Sequence, residues 1–121
     1  MTEIRNSKPY DLEDRSEVFA KKCRGLVKKL KTTIANTEDG RQLIKSSGSV
    51  GANYIEANES LSKRDFRMRI KICRKEAKES RYWLRLLNNE DNLHLKAEIE
   101  DLLQEATELM NIFGTILVKT K

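Results

Sequence analysis

The feature that most constrains the fold is an apolar seam between residues 66 and 87. Its apolar or small residues recur at intervals of four and three: Phe66, Ile70, Cys73, Ala77, Ser80, Leu84 and Leu87. This spacing puts them on one stripe of an α-helix that packs against other helices. The seam therefore predicts a long helix at 63–88 and requires helical partners to cover it.

Three further segments carry seams with helical spacing. They predict helices at 12–33, 38–60 and 93–118. The seam of the first helix is Phe19, Cys23, Leu26, Val27, Leu30 and Ile34, and that of the second is Leu43, Ser47, Val50, Tyr54, Ala57 and Leu61. The seam of the last helix is Ile99, Leu102, Ala106, Leu109, Phe113 and Ile116. Convincing strand alternation is lacking. Four amphipathic helices with short connections predict an all-α, antiparallel, up-down-up-down four-helix bundle. Residues 1–11 are predicted to form a flexible, polar N-terminal arm.

Turn and capping residues predict where the helices begin and end. Asn36 and Asp39 place the first connection at about 35–40, and Thr37 is a candidate cap for the second helix. Ser62 is a candidate cap for the third helix. The glycine-containing stretch 46–52 matches a GxxG nucleic-acid loop by its letters, but no strands flank it, so close packing of helices is the better interpretation.

A second stripe, the basic ridge, lies one residue behind the seam of the third helix. All six of its positions are cationic: Arg67, Lys71, Arg74, Lys78, Arg81 and Arg85. On a straight helix the ridge is about 27 Å long. Residues 63–85 hold ten basic and three acidic side chains. The ridge is therefore a candidate phosphate-binding surface, a contact with another subunit, or a solvated flank.

The predicted fourth helix carries an acidic ridge with the same rhythm. It consists of Glu98, Asp101, Glu105 and Glu108, and it lies one residue ahead of that helix's seam. The two ridges should therefore not meet within one bundle, but they are a candidate contact between subunits. Ile72, Trp83 and Leu86 would supply the apolar part of such an interface. Trp83 is alternatively a platform for base stacking, although a packing role is favoured.

The remaining chemistry favours no catalytic or metal site. Cys23 and Cys73 lie on apolar stripes and are interpreted as buried, reduced thiols, with a disulfide between helices as the alternative. His94 is interpreted as a solvated residue at a helix end, and Glu56, Glu76 and Glu79 as ordinary ion-pairing carboxylates. A nonenzymatic protein is expected, with no metal, cofactor or small-molecule substrate. Without a signal peptide or a long apolar run, a cytoplasmic protein with no membrane partner is predicted.

Several short pieces between residues 49 and 87 resemble a known family in their order. They are Ser49-Val50-Gly51-Ala52-Asn53-Tyr54-Ile55-Glu56-Ala57, then Ser62-Lys63-Arg64-Asp65-Phe66, then Lys75-Glu76-Ala77-Lys78-Glu79-Ser80-Arg81-Tyr82-Trp83-Leu84. This order is similar to that of the small proteins encoded in intervening sequences of bacterial 23S ribosomal RNA genes. Tyr54 stands where the family often has isoleucine.

The resemblance implies an antiparallel four-helix bundle that assembles with itself, typically as a five-membered ring, and no established enzyme activity. The family also resembles the accessory protein of diversity-generating retroelements, a basic pentamer that engages nucleic acid and a reverse transcriptase. RNA or DNA binding is therefore expected by analogy. The alternative is a structural or scaffolding homo-oligomer that binds a protein partner, with the charged ridges serving self-assembly.

Overall fold

The computed structural model describes residues 12–121, and these residues fold into four α-helices. The helices are α1 (Leu12–Lys28), α2 (Ile34–Asn58), α3 (Lys63–Leu87) and α4 (Lys96–Lys119). A 3-10 segment, Glu90–Leu95, leads into α4. The described residues contain no strand, so the predicted all-α class is confirmed. The arm predicted for residues 1–11 lies outside the described residues.

Cross-helix contacts show the antiparallel order directly. Ser46 bonds to Ser80 at 2.8 Å, and further along α2 Asn53 accepts a hydrogen bond from Arg69 at 3.0 Å, so numbers rise on α2 as they fall on α3. In the bundle α1 packs on α2, α2 on α3 and α3 on α4. Because α1 also packs on α4, the four helices form a closed ring. The predicted four-helix bundle is confirmed.

The predicted seams form the core. On α3 every seam residue from Ile70 to Leu87 is buried and Phe66 is half-buried, because the seam faces both α2 and α4. Two seam assignments at helix ends are wrong: Ile34 and Leu61 are almost fully exposed. Leu61 lies beyond the last residue of α2, and Ile34 begins α2 rather than continuing α1, so neither lies on the buried stripe of the helix to which it was assigned.

The connection between α1 and α2 lies about five residues earlier than predicted. The true cap is Thr33, which has extended backbone angles and accepts a hydrogen bond from the Asn36 N–H at 3.0 Å; Thr37 lies inside the helix. Gly40 was interpreted as part of a turn, yet it lies beneath α1. A Cβ there would be 3.2 Å from Val27. The third helix begins as predicted, with Ser62 capping Asp65.

Small residues on α2 allow α1 to approach closely, as the sequence predicted. A Cβ on Gly51 would lie 3.3 Å from the Cβ of Ser16 and 3.9 Å from its backbone carbonyl carbon. That contact is tight and involves backbone, so the neighbouring helix has little room to yield.

Two buried asparagines join the connections at one end of the bundle. The side chains of Asn36 and Asn92 exchange hydrogen bonds of 3.0 and 3.1 Å. Asn36 also donates to the Lys31 carbonyl and Asn92 to the Leu87 carbonyl. These bonds satisfy buried polar atoms and tie the α1–α2 connection to the α3–α4 connection. Sequence reasoning assigned both asparagines to polar loops, because nothing local indicates that they meet.

Candidate nucleic-acid interface

The basic ridge follows one flank of α3, a helix whose other positions anchor it in the core. Lys71, Arg74, Lys78 and Arg85 are exposed, and Arg67 and Arg81 are half-buried. Because the seam beside the ridge is buried along most of its length, the backbone that carries the six cations is held rigidly. The ridge is therefore a fixed row of positive charge rather than a mobile tail.

No carboxylate neutralises this row within the part of the chain that the structure describes. Among residues 12–121, none of the six ridge cations forms a salt bridge. The one salt bridge within α3 joins Lys75 and Glu79, which lie off the ridge, at 3.9 Å. The ridge cations that face water are thus available to an external anion, and four of the six are arginines, which bind phosphate oxygens in pairs.

The ridge differs along its length in how it meets α4. Arg67 donates to the Leu117 carbonyl at 2.5 Å and to the Thr120 hydroxyl at 3.2 Å, so its guanidinium satisfies the last turn of α4. Further along, the Arg74 Nε would lie 3.6 Å from a Cβ on Gly114, an ordinary van der Waals distance, so the Arg74 side chain lies beside α4. Arg67 is therefore partly structural, whereas within residues 12–121 the other ridge cations donate no hydrogen bond to α4.

The acidic ridge of α4, in contrast, meets cations from α1. Arg15 Nε lies 2.7 Å from Glu105, and Arg15 Nη2 lies 2.8 Å from Glu105 and 2.6 Å from Glu108. Lys29 pairs with Glu98 at 2.6 Å. Among residues 12–121 no salt bridge joins the acidic and basic ridges, as the sequence predicted.

These contacts shift the pKa values of both partners in the directions that favour their charged forms. The hydrogen bond from Arg15 to Glu105 raises the pKa of the guanidinium, with Glu108 adding to the effect. Hydrogen bonds from Gln104 and then Arg15 lower the pKa of Glu108 below its ordinary value. The cluster therefore holds both charges in place at neutral pH.

A pattern in the sequence indicates this pairing between the acidic ridge and basic residues near α1, although the prediction of the two ridges did not use it. Basic residues recur every seven positions along α1 and its first following residue, at Arg15, Lys22 and Lys29. Such spacing defines one flank of a helix. Lys22 and Asp101 line the same hollow between α1 and α4, so all four acidic positions lie toward α1. The proposed contact of Glu98, Asp101, Glu105 and Glu108 with another subunit stays a prediction, but three of these carboxylates already have partners inside the chain.

Of the two neighbouring aromatic residues on α3, Trp83 has the packing role that the sequence favoured. Trp83, the candidate stacking platform, is half-buried and packs against the core. Its neighbour Tyr82 was overlooked and is 48% exposed. Ile72 is half-buried and Leu86 is exposed, and their role in an interface stays a prediction. A signal for Tyr82 existed, because it follows the ridge residue Lys78 by one helical turn.

The buried thiols and scattered carboxylates offer little reactivity. Cys23 and Cys73 are reduced and buried, as predicted, and burial raises the pKa of each to about 12. Burial also raises the pKa of Glu76, whereas His94 is exposed in the 3-10 segment. Within residues 12–121 no cluster of three or more His, Cys, Asp or Glu residues has the arrangement of a metal site. None of the described helices combines the length and apolar character needed to cross a membrane.

Comparisons with known proteins place the chain in a family. A solved protein of unknown function from the S23 ribosomal protein family of Bacteroides thetaiotaomicron is 29% identical and superposes with a TM-score of 0.74, covering 88% of this chain and 97% of that one. A comparison with curated proteins found no match. The family model described as 23S rRNA-intervening sequence protein matches residues 9–115. The chain therefore belongs to the 23S rRNA-intervening sequence protein family.

Proposed function

We propose that this chain is a nonenzymatic, cytoplasmic homo-oligomer that binds RNA or DNA through the basic ridge of α3. The observation that carries the proposal is the contrast in pairing. Three of the four acidic-ridge carboxylates pair with Arg15 of α1 or with Lys29 just after it, whereas the cations of the basic ridge form no salt bridge within residues 12–121. A row of like charges repels itself, so a fold that leaves it uncompensated favours an anionic partner. We propose no cofactor and no small-molecule substrate.

Phosphate is the chemistry that suits such a row. Arginine and lysine side chains that contact phosphates release condensed counterions, so the affinity falls steeply as salt is added. The family resemblance supports assembly into a ring, in the expected case a pentamer. Five copies of the ridge on one particle would bind a long polyanion through several sites at once, which raises the overall affinity without any new contact.

The test is a binding titration at low salt with labelled 20-nucleotide RNA and DNA. The variant Arg74→Glu/Arg81→Glu reverses two ridge charges. The control variant Lys28→Glu/Arg41→Glu makes the same change in net charge at exposed positions of α1 and α2 that form no salt bridge in the described residues. We expect the ridge variant to bind at least tenfold more weakly than the control and its salt slope to fall by about 2.

Two results would contradict the proposal. The first is the absence of binding by the wild-type protein at low salt. The second is equal weakening in both variants, because that would show attraction to net charge rather than to the ridge. Sedimentation of each variant checks that the oligomer is intact, so that loss of assembly is not mistaken for loss of a binding surface.

A second candidate is a scaffolding homo-oligomer that binds a protein partner. The observation favouring it is the apolar surface on α3, where Met68 is 53% and Leu86 39% exposed. The two side chains lie on the same side of α3, about 27 Å apart along the helix, so a partner that spans α3 would cover both of them. In that case protein partners isolated with this protein should stay bound after nuclease treatment. A Met68→Ser/Leu86→Ser variant should lose these partners, whereas the Arg74→Glu/Arg81→Glu variant should keep them.

A further inference from the structure

The exposed ring of Tyr82 is a feature that the fold does not use. The ring lies on the outer side of α3, where Lys78 precedes it and Arg85 follows it by about one helical turn each. It is 48% exposed. Its hydroxyl forms no hydrogen bond with any other residue in the range 12–121. The ring therefore adds little to the core and stands among ridge cations.

Two neighbours hold this ring in place. The Tyr82 and Trp83 ring centroids are 5.1 Å apart, with the planes at 67°, an edge-to-face arrangement. Trp83 packs against the buried core and so provides a rigid support. The Arg85 guanidinium lies over the Tyr82 ring, 5.9 Å from its centroid. An exposed aromatic ring that is oriented in advance loses little conformational freedom on binding.

We propose that Tyr82 is a stacking platform for an unpaired base of single-stranded RNA or DNA whose phosphates follow the ridge at Lys78, Arg81 and Arg85. This inference rests on the proposed function and adds the class of nucleic acid. Every base has a π-face, so stacking on an aromatic ring tolerates any sequence, whereas bases in a duplex are already stacked on one another. A cationic row with an aromatic ring at its edge therefore favours single strands.

The other exposed groups on this face suit the role less well. Met68 and Leu86 have no π-face, and Trp83 is committed to the core. Tyr82 also lies toward the opposite end of the ridge from Arg67, the ridge cation that is bonded to the last turn of α4. A base on Tyr82 would thus meet cations that have no acceptor on α4.

The experiment compares Tyr82→Ala with Tyr82→Phe, using a 20-nucleotide poly-U RNA, the matching poly-dT DNA and a blunt 20-base-pair duplex. We expect Tyr82→Ala to weaken binding of both single strands about five- to a hundredfold, with duplex binding changed less than about twofold. Tyr82→Phe should bind like the wild-type protein. The salt slope should stay the same for all three proteins, because no phosphate contact is lost.

The outcomes separate this inference from the proposed function. If Tyr82→Ala binds single strands like the wild-type protein while Arg74→Glu/Arg81→Glu does not bind, the ridge proposal stands and the stacking role is wrong. If the wild-type protein binds no nucleic acid, both are wrong. If Tyr82→Ala changes the sedimenting mass, Tyr82 belongs to a contact between copies, which also overturns the stacking role. A thermal melt of each variant checks that the helices remain folded.

Discussion

The two charged ridges have the same rhythm and lie on neighbouring helices, yet they are used in different ways. The acidic ridge of α4 faces α1, and Arg15 of α1 and Lys29 just after it pair with three of its carboxylates. The basic ridge of α3 faces the outer side of α4, where it meets a glycine and the last turn of the helix. The side of the seam on which a charge lies thus decides whether the bundle supplies a partner.

The comparison separates charges that stabilise the fold from charges that serve a partner. Arg15 is only 24% exposed and is bidentate to Glu105, so its removal takes the charged donor from a partly desolvated carboxylate. Arg74 is exposed and forms no salt bridge within residues 12–121. Stability should therefore respond mainly to the acidic ridge and binding mainly to the basic ridge.

The largest difference in stability is expected between Arg15→Ala and Arg74→Ala. Removing Arg15 should lower the free energy of unfolding by about 1–3 kcal/mol, because Glu105 loses a bidentate charged donor and Glu108 keeps only Gln104. Removing Arg74 should change it by less than about 0.5 kcal/mol. Urea unfolding followed by circular dichroism measures both. Equal losses would show that the two ridges are not distinguished by pairing.

Within the basic ridge itself, Arg67 should behave differently from Lys71. Arg67→Ala is expected to cost about 0.5–1.5 kcal/mol, because the Leu117 carbonyl and Thr120 hydroxyl lose a charged donor at the end of α4. Lys71→Ala is the matched control and should be nearly neutral, since the side chain is exposed. If Lys71→Ala lowers the free energy of unfolding as much as Arg67→Ala does, the hydrogen bonds of Arg67 to α4 do not distinguish it from the rest of the ridge.

The same contrast explains which parts of the molecule were predictable from sequence. The seam of α3 was predictable because helical periodicity reports burial directly. The end of α1 was not, because Asn36 and Gly40 carry local turn chemistry but are used for tertiary contacts with Asn92 and Val27. Likewise, both charged ridges could be recognised in the sequence. The pairing of the acidic ridge with α1 could not, because it depends on which flank of α4 faces α1 in the bundle. The choice between Tyr82 and Trp83 depended on the exact rotation of α3.

A smaller effect is expected for the exposed pair of Lys29 and Glu98. Lys29→Ala should lower the free energy of unfolding by a few tenths of a kcal/mol, as exposed ion pairs typically do. Lys28→Ala, which removes the neighbouring exposed lysine, should have no measurable effect. Raising the salt to about 1 M should abolish the difference between the two variants, since exposed pairs are screened. A difference that persists in salt would indicate packing by the Lys29 stem instead of ion pairing.

The smallest effect concerns pH and tests whether Arg15 holds Glu108 charged. The folded-state pKa of Glu108 lies below its ordinary value of 4.5, so its contribution to stability is present above pH 4.5 and is lost as the pH falls through the folded-state pKa. Because Arg15 is one cause of this lowering, the stability gap between the wild-type protein and Arg15→Ala should narrow below about pH 4.5. The raised pKa of Glu76 acts in the opposite direction, but it is common to both proteins and cancels in the difference. If the stability difference between the two proteins stays constant from pH 7 to pH 3, Arg15 stabilises the fold through the packing of its stem and not through its charge. In that case ion pairing would contribute no more to stability on the acidic ridge than on the basic ridge.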